Sequence, residues 1–479
     1  MTDNRRHYWF GPRDDRALLA ALGPLQLGVI GASLVLGVIA LHLFAPPVGL
    51  ESAAGLGVMG MTLSLGRIEG RSLVEWVVEL SRFSHAGVVG ERRMLYRIRT
   101  GLRTSPSPAK FASTEFVEVT HGGRSIGVIL DQRKRMVSGV IDVAGTSLSL
   151  LDNQERERLS MAWSSVLAAS ATDRRTVRLK WIHETAPDIA MKTRASVITN
   201  MAGVADLRRR EAMDAYLSLI DQVGGERLVT EQLLVVSLPL HSRWQPSNAR
   251  VDRTPVPEGP FHDLIVQLDL LMRRLHDAGI PPRGPLTRAQ LEGVTQRRFL
   301  LTGVAQRRTG LWPGAMEERW ESLRTDELWH ATFWIAEWPR AVVTSGFLLP
   351  LLSESRVRRT VALAMSPLAV DRAVHRAEQR RTSATADAQL RGRYGFALSS
   401  RRRAQHEAMT RREEELSVGH RGFEFSGYIT VSAGSPQELA EACDQIEQCA
   451  SVCHLELRRL YGVQRRAFAF GLLNALGCQ

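Results

Sequence analysis

Apolar side chains are distributed very unevenly along this chain. Between Arg16 and Glu51 no side chain is charged, and residues 17–45 form an apolar run long enough to cross a bilayer core of about 30 Å as a helix. Pro46 and Pro47 end it. The run is too long for a cleaved signal peptide, and the next stretch is apolar again rather than polar. This second stretch, residues 48–66, contains Glu51 and five glycines. Ala53 and Gly57, and Gly60 and Ser64, are small residues four apart, a spacing that lets helices approach closely in lipid. The pattern predicts a two-span hairpin, with Glu51 at headgroup level rather than in hydrocarbon.

Beyond this hairpin the periods shorten and no further long apolar run occurs. Residues 116–119, 125–130 and 137–143 alternate as strands, with turns at Gly122-Gly123 and residues 132–135, and so predict an antiparallel meander. Residues 153–170 have a 3.6-residue period, with Leu159, Trp163, Val166 and Leu167 on one face and Asp152 as N-cap. A strand over 177–183, a long helix over 187–223 and a strand over 232–240 come next. Residues 244–260 and 279–285 have linker composition and flank a helix over 261–278. After a tryptophan-rich stretch (Trp312, Trp320, Trp329, Trp334, Trp338), strands are predicted over 328–336, 357–365, 423–433 and 455–460, with a helix over 436–451.

The expected fold class is α+β: a transmembrane helical hairpin followed by a cytoplasmic body of two α+β units in series. Its parts are a tail and hairpin (1–66), an amphipathic helix and linker (67–110), a first unit (111–245), a linker and helical connection (246–327) and a second unit (328–479). The second unit carries a helical insertion at about 368–418.

Charge adds an orientation. Arg5, Arg6, Arg13 and Arg16 precede the hairpin and Arg67 and Arg71 come after it, whereas the connecting turn has no basic residue. The positive-inside rule then places both termini and the body in the cytoplasm, at the inner membrane. The cysteines, Cys443, Cys449, Cys453 and Cys478, fall within the last 37 residues and suit a reducing compartment. The formal net charge is +12, yet only four of the 62 basic residues are lysines, which reflects codon composition more simply than nucleic-acid binding. Between Arg356 and Arg421, 15 arginines face seven acidic residues. Arg380, Arg381, Arg391, Arg393, Arg401, Arg402, Arg403, Arg411 and Arg412 are the candidate contacts there for an acidic partner or DNA. With only Tyr394 and Phe396 among them, base stacking gains little support.

Motifs of enzyme chemistry fail on context. A phosphate-binding loop of the Walker type needs Gly-Lys before Ser or Thr, and the four lysines follow Ala109, Arg133, Leu179 and Met191. Gly55 to Gly60 spells GxGxxG inside a membrane run rather than at a strand-to-helix turn. Gly123-Arg-Ser-Ile-Gly127 spells the nucleophile elbow inside a hairpin. Cys443, Cys449, Cys453 and His454 lack the paired CxxC spacing of zinc sites. The expectation is a protein that is not an enzyme, with no catalytic set, cofactor or metal.

Arg71, Leu73 and Trp76, within residues 66–83 directly after the hairpin, resemble the membrane-proximal segment of the PrgI-like proteins of conjugative, type IV secretion machines. Residues 114–477 resemble the N-terminal, non-catalytic domain of the TrbE/TraC-type secretion ATPase. That likeness rests on residues 334–340 (WIAEWPR), residues 364–368 (AMSPL) before the arginine-rich insertion, and residues 425–470 with their Leu460-Tyr-Gly-Val-Gln464 close. In that family the motor comes next, whereas this sequence stops at Gln479. The resemblance therefore implies a non-enzymatic membrane scaffold that docks a separate hexameric P-loop ATPase at the channel. Its implied partners are that ATPase, a polytopic channel protein, the lipid bilayer and further copies of itself. The alternative is a membrane-tethered nucleic-acid-binding protein using the arginine-rich insertion.

Overall fold

A computed structural model describes residues 24–68, 71–95, 114–144, 151–171, 178–187, 211–212, 215–219, 228–240, 256–257, 261–299, 311–339, 343–353, 357–367 and 423–474. Helices α1 (Pro24–Leu43) and α2 (Val48–Leu65) form an antiparallel pair, each long and apolar enough to cross a membrane. Small residues set their contact. Gly37 lies against Ala53, Gly60 against Ser33, and the Ser64 hydroxyl donates to the Gln26 carbonyl at 3.2 Å. Gly57 has open space where a Cβ would be, so it does not share the seam expected for it. Outward-facing Leu34, Val35, Val38, Val58 and Met61 are exposed. After the short pair β1 (Arg67–Ile68) and β2 (Arg71–Ser72) comes α3 (Leu73–Val88), and then β3 (Arg93–Leu95).

β3 is the outer strand of a 14-stranded sheet that contains all the later strands. The first half starts with the predicted meander: β4 (Thr114–His121), β5 (Arg124–Asp131) and β6 (Met136–Val143). Its turns place Gly122, Gly123 and Arg135 at positive φ. Helix α4 (Asn153–Ala171) starts where Asp152 accepts from the Glu155 amide at 2.7 Å. Strand β7 (Arg178–Pro187) is laid down before β8 (Leu228–Pro239), which inserts between β6 and β7. The tiny β9 (Val256–Pro257) pairs with β4 in parallel. Then α5 (His262–Asp277) crosses one face, β10 (Pro282–Pro285) runs back along β6, and α6 (Arg288–Arg297) covers the other face.

The second half repeats this order. A meander of β11 (Ala315–Glu318), β12 (Leu323–Thr325) and β13 (Trp329–Glu337) is followed by the short helix α7 (Leu349–Ser353) and β14 (Arg359–Pro367). Strand β15 (Phe423–Ala433) inserts between β13 and β14, α8 (Pro436–Val452) crosses the face, β16 (Glu456–Arg459) runs back along β13, and α9 (Gln464–Phe470) ends the pattern. The likeness reaches single hydrogen bonds. Helix α5 ends with Gly279 at φ 74° and Ile280 N donating to Leu275 O; α8 ends with His454 at φ 56° and Leu455 N donating to Ala450 O. Leu286 N donates to Val140 O as Leu460 N does to Thr332 O. Strands β7 and β14 pair antiparallel with Ile182 opposite Ala362, so strand order reads the same outward in both directions. The halves are therefore related as by a two-fold axis at that joint.

The two units expected in series thus share one continuous sheet. Residues 279–285 are not merely linker, because β10 pairs with residues 141–143 of β6, beyond the reach of β5. At that edge its prolines forfeit little ladder bonding. The predicted helix over 187–223 is described only at 211–212 and 215–219, both helical. The insertion expected at 368–418 lies outside the described residues.

Apolar side chains fill the space between sheet and helices. Val119, Val128, Leu234, Leu264, Ile265 and Leu268 build the first core beneath α4 and α5. Phe333, Ile429, Val431, Leu439, Cys443 and Ile446 build the corresponding core beneath α8. The opposite face packs Ile129, Val140 and Val235 against α6, and Leu323 and Met316 against α9.

Candidate functional site

The segment carrying Arg71, Leu73 and Trp76 is where the apolar hairpin meets the sheet. Gly66 lets the chain turn tightly: Leu73 N donates to Gly66 O at 3.0 Å, and the Leu73 side chain covers the glycine. Ser72 caps α3 by accepting from the Glu75 amide at 3.4 Å. Trp76 sits one turn later, its indole N–H on Ile68 O at 3.2 Å and Arg71 stacked 5.9 Å from its ring. Beyond Trp76 lie Trp320 and Tyr461, with ring centroids at 6.0 and 5.4 Å, and Phe83 meets Trp320 edge-on at 5.2 Å. Trp76 and Phe83, seven apart, share a face of α3, so this helix docks on two loops of the second half. Gly462 makes the approach feasible. It has φ 72°, its amide donates to Trp320 O at 2.8 Å, and a Cβ there would lie 2.7 Å from the Trp320 ring.

The exit from α3 is fixed equally firmly. Arg92 lies over the Phe83 ring at 4.6 Å, and β3 pairs with β11, bringing Arg93 within 3.0 Å of Glu317. Arg465 donates to Glu91 O at 3.0 Å and faces Glu318 at 3.7 Å. Burial pushes the Glu318 carboxyl up from its ordinary range, against the pull of Arg465. Burial also pushes on Glu317, but the hydrogen bond from Arg93 and the charge of Arg319 prevail and hold it down.

Trp320 belongs to the tryptophan-rich stretch visible in the sequence, but nothing there pairs it with Trp76. Tyr461, Phe83, Arg92 and Arg465 were also missed. The heptad spacing of Trp76 and Phe83 was the available signal for one of them. The arginines singled out by charge (Arg380, Arg381, Arg391, Arg393, Arg401, Arg402, Arg403, Arg411 and Arg412) lie outside the described residues.

The other motifs have structural explanations. Ser125 of the elbow-like sequence lies in β5 and bonds Glu118 at 2.6 Å, while Gly127 gives way to the backbone of Thr287 and Arg288. Gly55 to Gly60 is continuous α2. Cys443 and Cys453 are buried thiols outside any disulfide, and burial pushes Cys443 up to about 11. Among the described residues no three His, Cys, Asp or Glu side chains gather as metal ligands. No protein-family model and no curated protein matches this chain.

Proposed function

We propose that the chain is a non-enzymatic, membrane-anchored scaffold of a conjugation or type IV-like secretion apparatus, holding a separate hexameric ATPase at the cytoplasmic mouth of the channel. The observation that carries this reading is the junction. Two span-length apolar helices continue through α3 into a strand of the large sheet, and aromatic stacking and ion pairs on both sides of α3 tie them to the second half. Such coupling suits a part that must keep a soluble body at a fixed orientation beneath a membrane. The absence of a Walker lysine from this sequence and its resemblance to the docking domain of secretion ATPases supply the partner.

Native purification of the full chain from a host that makes the neighbouring secretion genes tests this. A P-loop ATPase should copurify in stoichiometric amount, and the membrane pellet should retain the chain after carbonate washing. ATP turnover by the isolated chain, abolished by a point substitution within it, would refute the scaffold reading.

A further inference from the structure

Helix α3 has a second apolar side that the sheet does not use. Trp76 and Phe83 turn toward Trp320, and Val74 is buried. At about 100° of rotation per residue, Val77, Leu80, Ser84 and Val88 form another line, roughly 100° round the helix from Trp76. Val77 and Leu80 are more than half exposed, and Val88 is 88% exposed. Ile68 just before the helix and Val89 at its end are more than half exposed too. Elsewhere among the described residues beyond the hairpin, exposed large apolar side chains are scattered, at most two to an element, as Met161 on α4, Val266 on α5 and Val452 on α8 are. Single ones are ordinary on a protein surface, whereas a line of them along one helix marks a contact.

Its place in the fold points to what covers it. Gly66 is extended, with φ −60° and ψ 133°, so α3 does not continue the axis of α2. Instead it contacts both α1 and α2, starting at the end of the pair where Ser64 meets Gln26. Both ends of α3 are fixed. Ser72 caps the first turn, and Gly90 at φ 76° closes the last, with Glu91 N donating to Ala86 O at 2.8 Å. The exposed line is therefore held on a rigid element beside two span-length helices whose outward sides are apolar as well. The β1–β2 pair brings Arg67 and Arg71 to the same end. Glu75 and Glu79 lie on the opposite side of α3, roughly 160° from Val77. An apolar line with arginines at one end and carboxylates turned away is the pattern of a helix lying in a lipid interface.

We infer that the side of α3 bearing Val77, Leu80 and Val88 is seated in the interfacial layer of a phospholipid bilayer, with Arg67 and Arg71 at headgroup phosphates. This deepens the membrane-anchor reading and rests on it, since α3 reaches a bilayer surface only if the hairpin is inserted. It adds a second attachment. A body hung from two spans alone can swivel, whereas a helix that lies on the lipid along one side and docks Trp320 and Tyr461 along the next holds the sheet at a set tilt and depth.

Photo-crosslinking of the full chain in phosphatidylglycerol vesicles tests it. The photoreactive analogue benzoylphenylalanine replaces one exposed residue at a time, and adducts are identified by mass spectrometry. Leu34, on the outward side of α1, reports whether the hairpin is inserted. Variants at Val77, Leu80 and Val88 should form lipid adducts at a yield close to that at Leu34, and the variant at Glu75 several-fold fewer. Lipid adducts at Leu34 with none at Val77, Leu80 and Val88 would overturn the inference and leave the anchor reading intact. Adducts from these three positions to a second protein chain in place of lipid would do the same, as would a Glu75 yield equal to that at Val77. Absence of lipid adducts at every position, Leu34 included, would overturn the anchor reading and this inference together.

Discussion

Val140 and Val235 in the first half, and Thr332 and Thr430 in the second, are opposed at corresponding places of the two sheet halves. The valine pair is dry, each residue 0% exposed, while the threonines share a hydrogen bond at 3.0 Å. Two positions along, Ser138 and Ser237 bond each other at 2.7 Å, whereas their counterparts His330 and Ser432 bond at 2.8 Å, with His330 continuing to Thr325 at 3.0 Å. Gln464 then bonds the Thr332 backbone at 2.8 Å. One topology thus accommodates an aliphatic filling and a polar network. The polar half is the one that meets α3 and supplies most of the charged cleft at the joint, where Arg358, Thr360, Thr430 and Ser432 join Glu184 and Arg298. Hydrogen-bond geometry fixes positions more narrowly than aliphatic contact does, as an attachment surface requires.

The joint between the halves is where substitution should do most damage. Replacing Glu184 by Ala strands a buried Arg298 charge and should cost about 3–5 kcal/mol, read from the urea midpoint of tryptophan fluorescence. In the dry half, Leu268→Ala should cost about 3 kcal/mol through the cavity it leaves beneath α5.

Acid should separate the halves next. Burial lowers His330 to about 3 and His183 to about 4, with the charges of Arg358 and Arg359 respectively acting in the same direction. Both are neutral when folded, but an unfolded histidine takes a proton below about 6.5. Stability is therefore complete above that pH and declines as pH falls from about 6.5 toward 4, His330 continuing the decline toward 3. Urea midpoints measured over this range should show a shallower slope for His330→Asn than for the native chain. The smallest effect is the most diagnostic of the network. Thr430→Val should cost about 1 kcal/mol by leaving Thr332 unpaired, and the double change Thr332→Val/Thr430→Val should cost less than that, restoring the pattern of Val140 and Val235. A double-mutant cycle on urea midpoints checks it.

Much of the architecture was legible. The meander at 114–143, the Asp152-capped helix, and β15 with α8 obey the alternation and capping signals closely. β11 and β12 were not legible, being four and three residues long and too short to show a period. Helix α6 announces itself only by Thr287 and Gln290, a capping box closed by bonds of 2.8 and 3.4 Å. The internal repeat escapes sequence reading because its shared elements are backbone contacts, with Gly279 answered by His454 and Pro282–Pro285 by Glu456–Arg459. The charged cleft escapes it for another reason: Glu184, Arg298, Arg358 and Ser432 are distant in sequence and become neighbours only when β7 finds β14.

That meeting also sets a timetable for synthesis. Ile182 leaves the ribosome about 180 residues before Ala362, which at about 5–20 residues per second is roughly 10–40 s. Throughout that interval the first half can complete its own ladder, from β4 to β7, while the outer edge of β7 has no strand beside it. An unpaired edge is a template for any similar strand. Two nascent chains made side by side each offer β7 first and β14 later, so a partner exchanged between them would restore every native pair and join the two chains as one sheet.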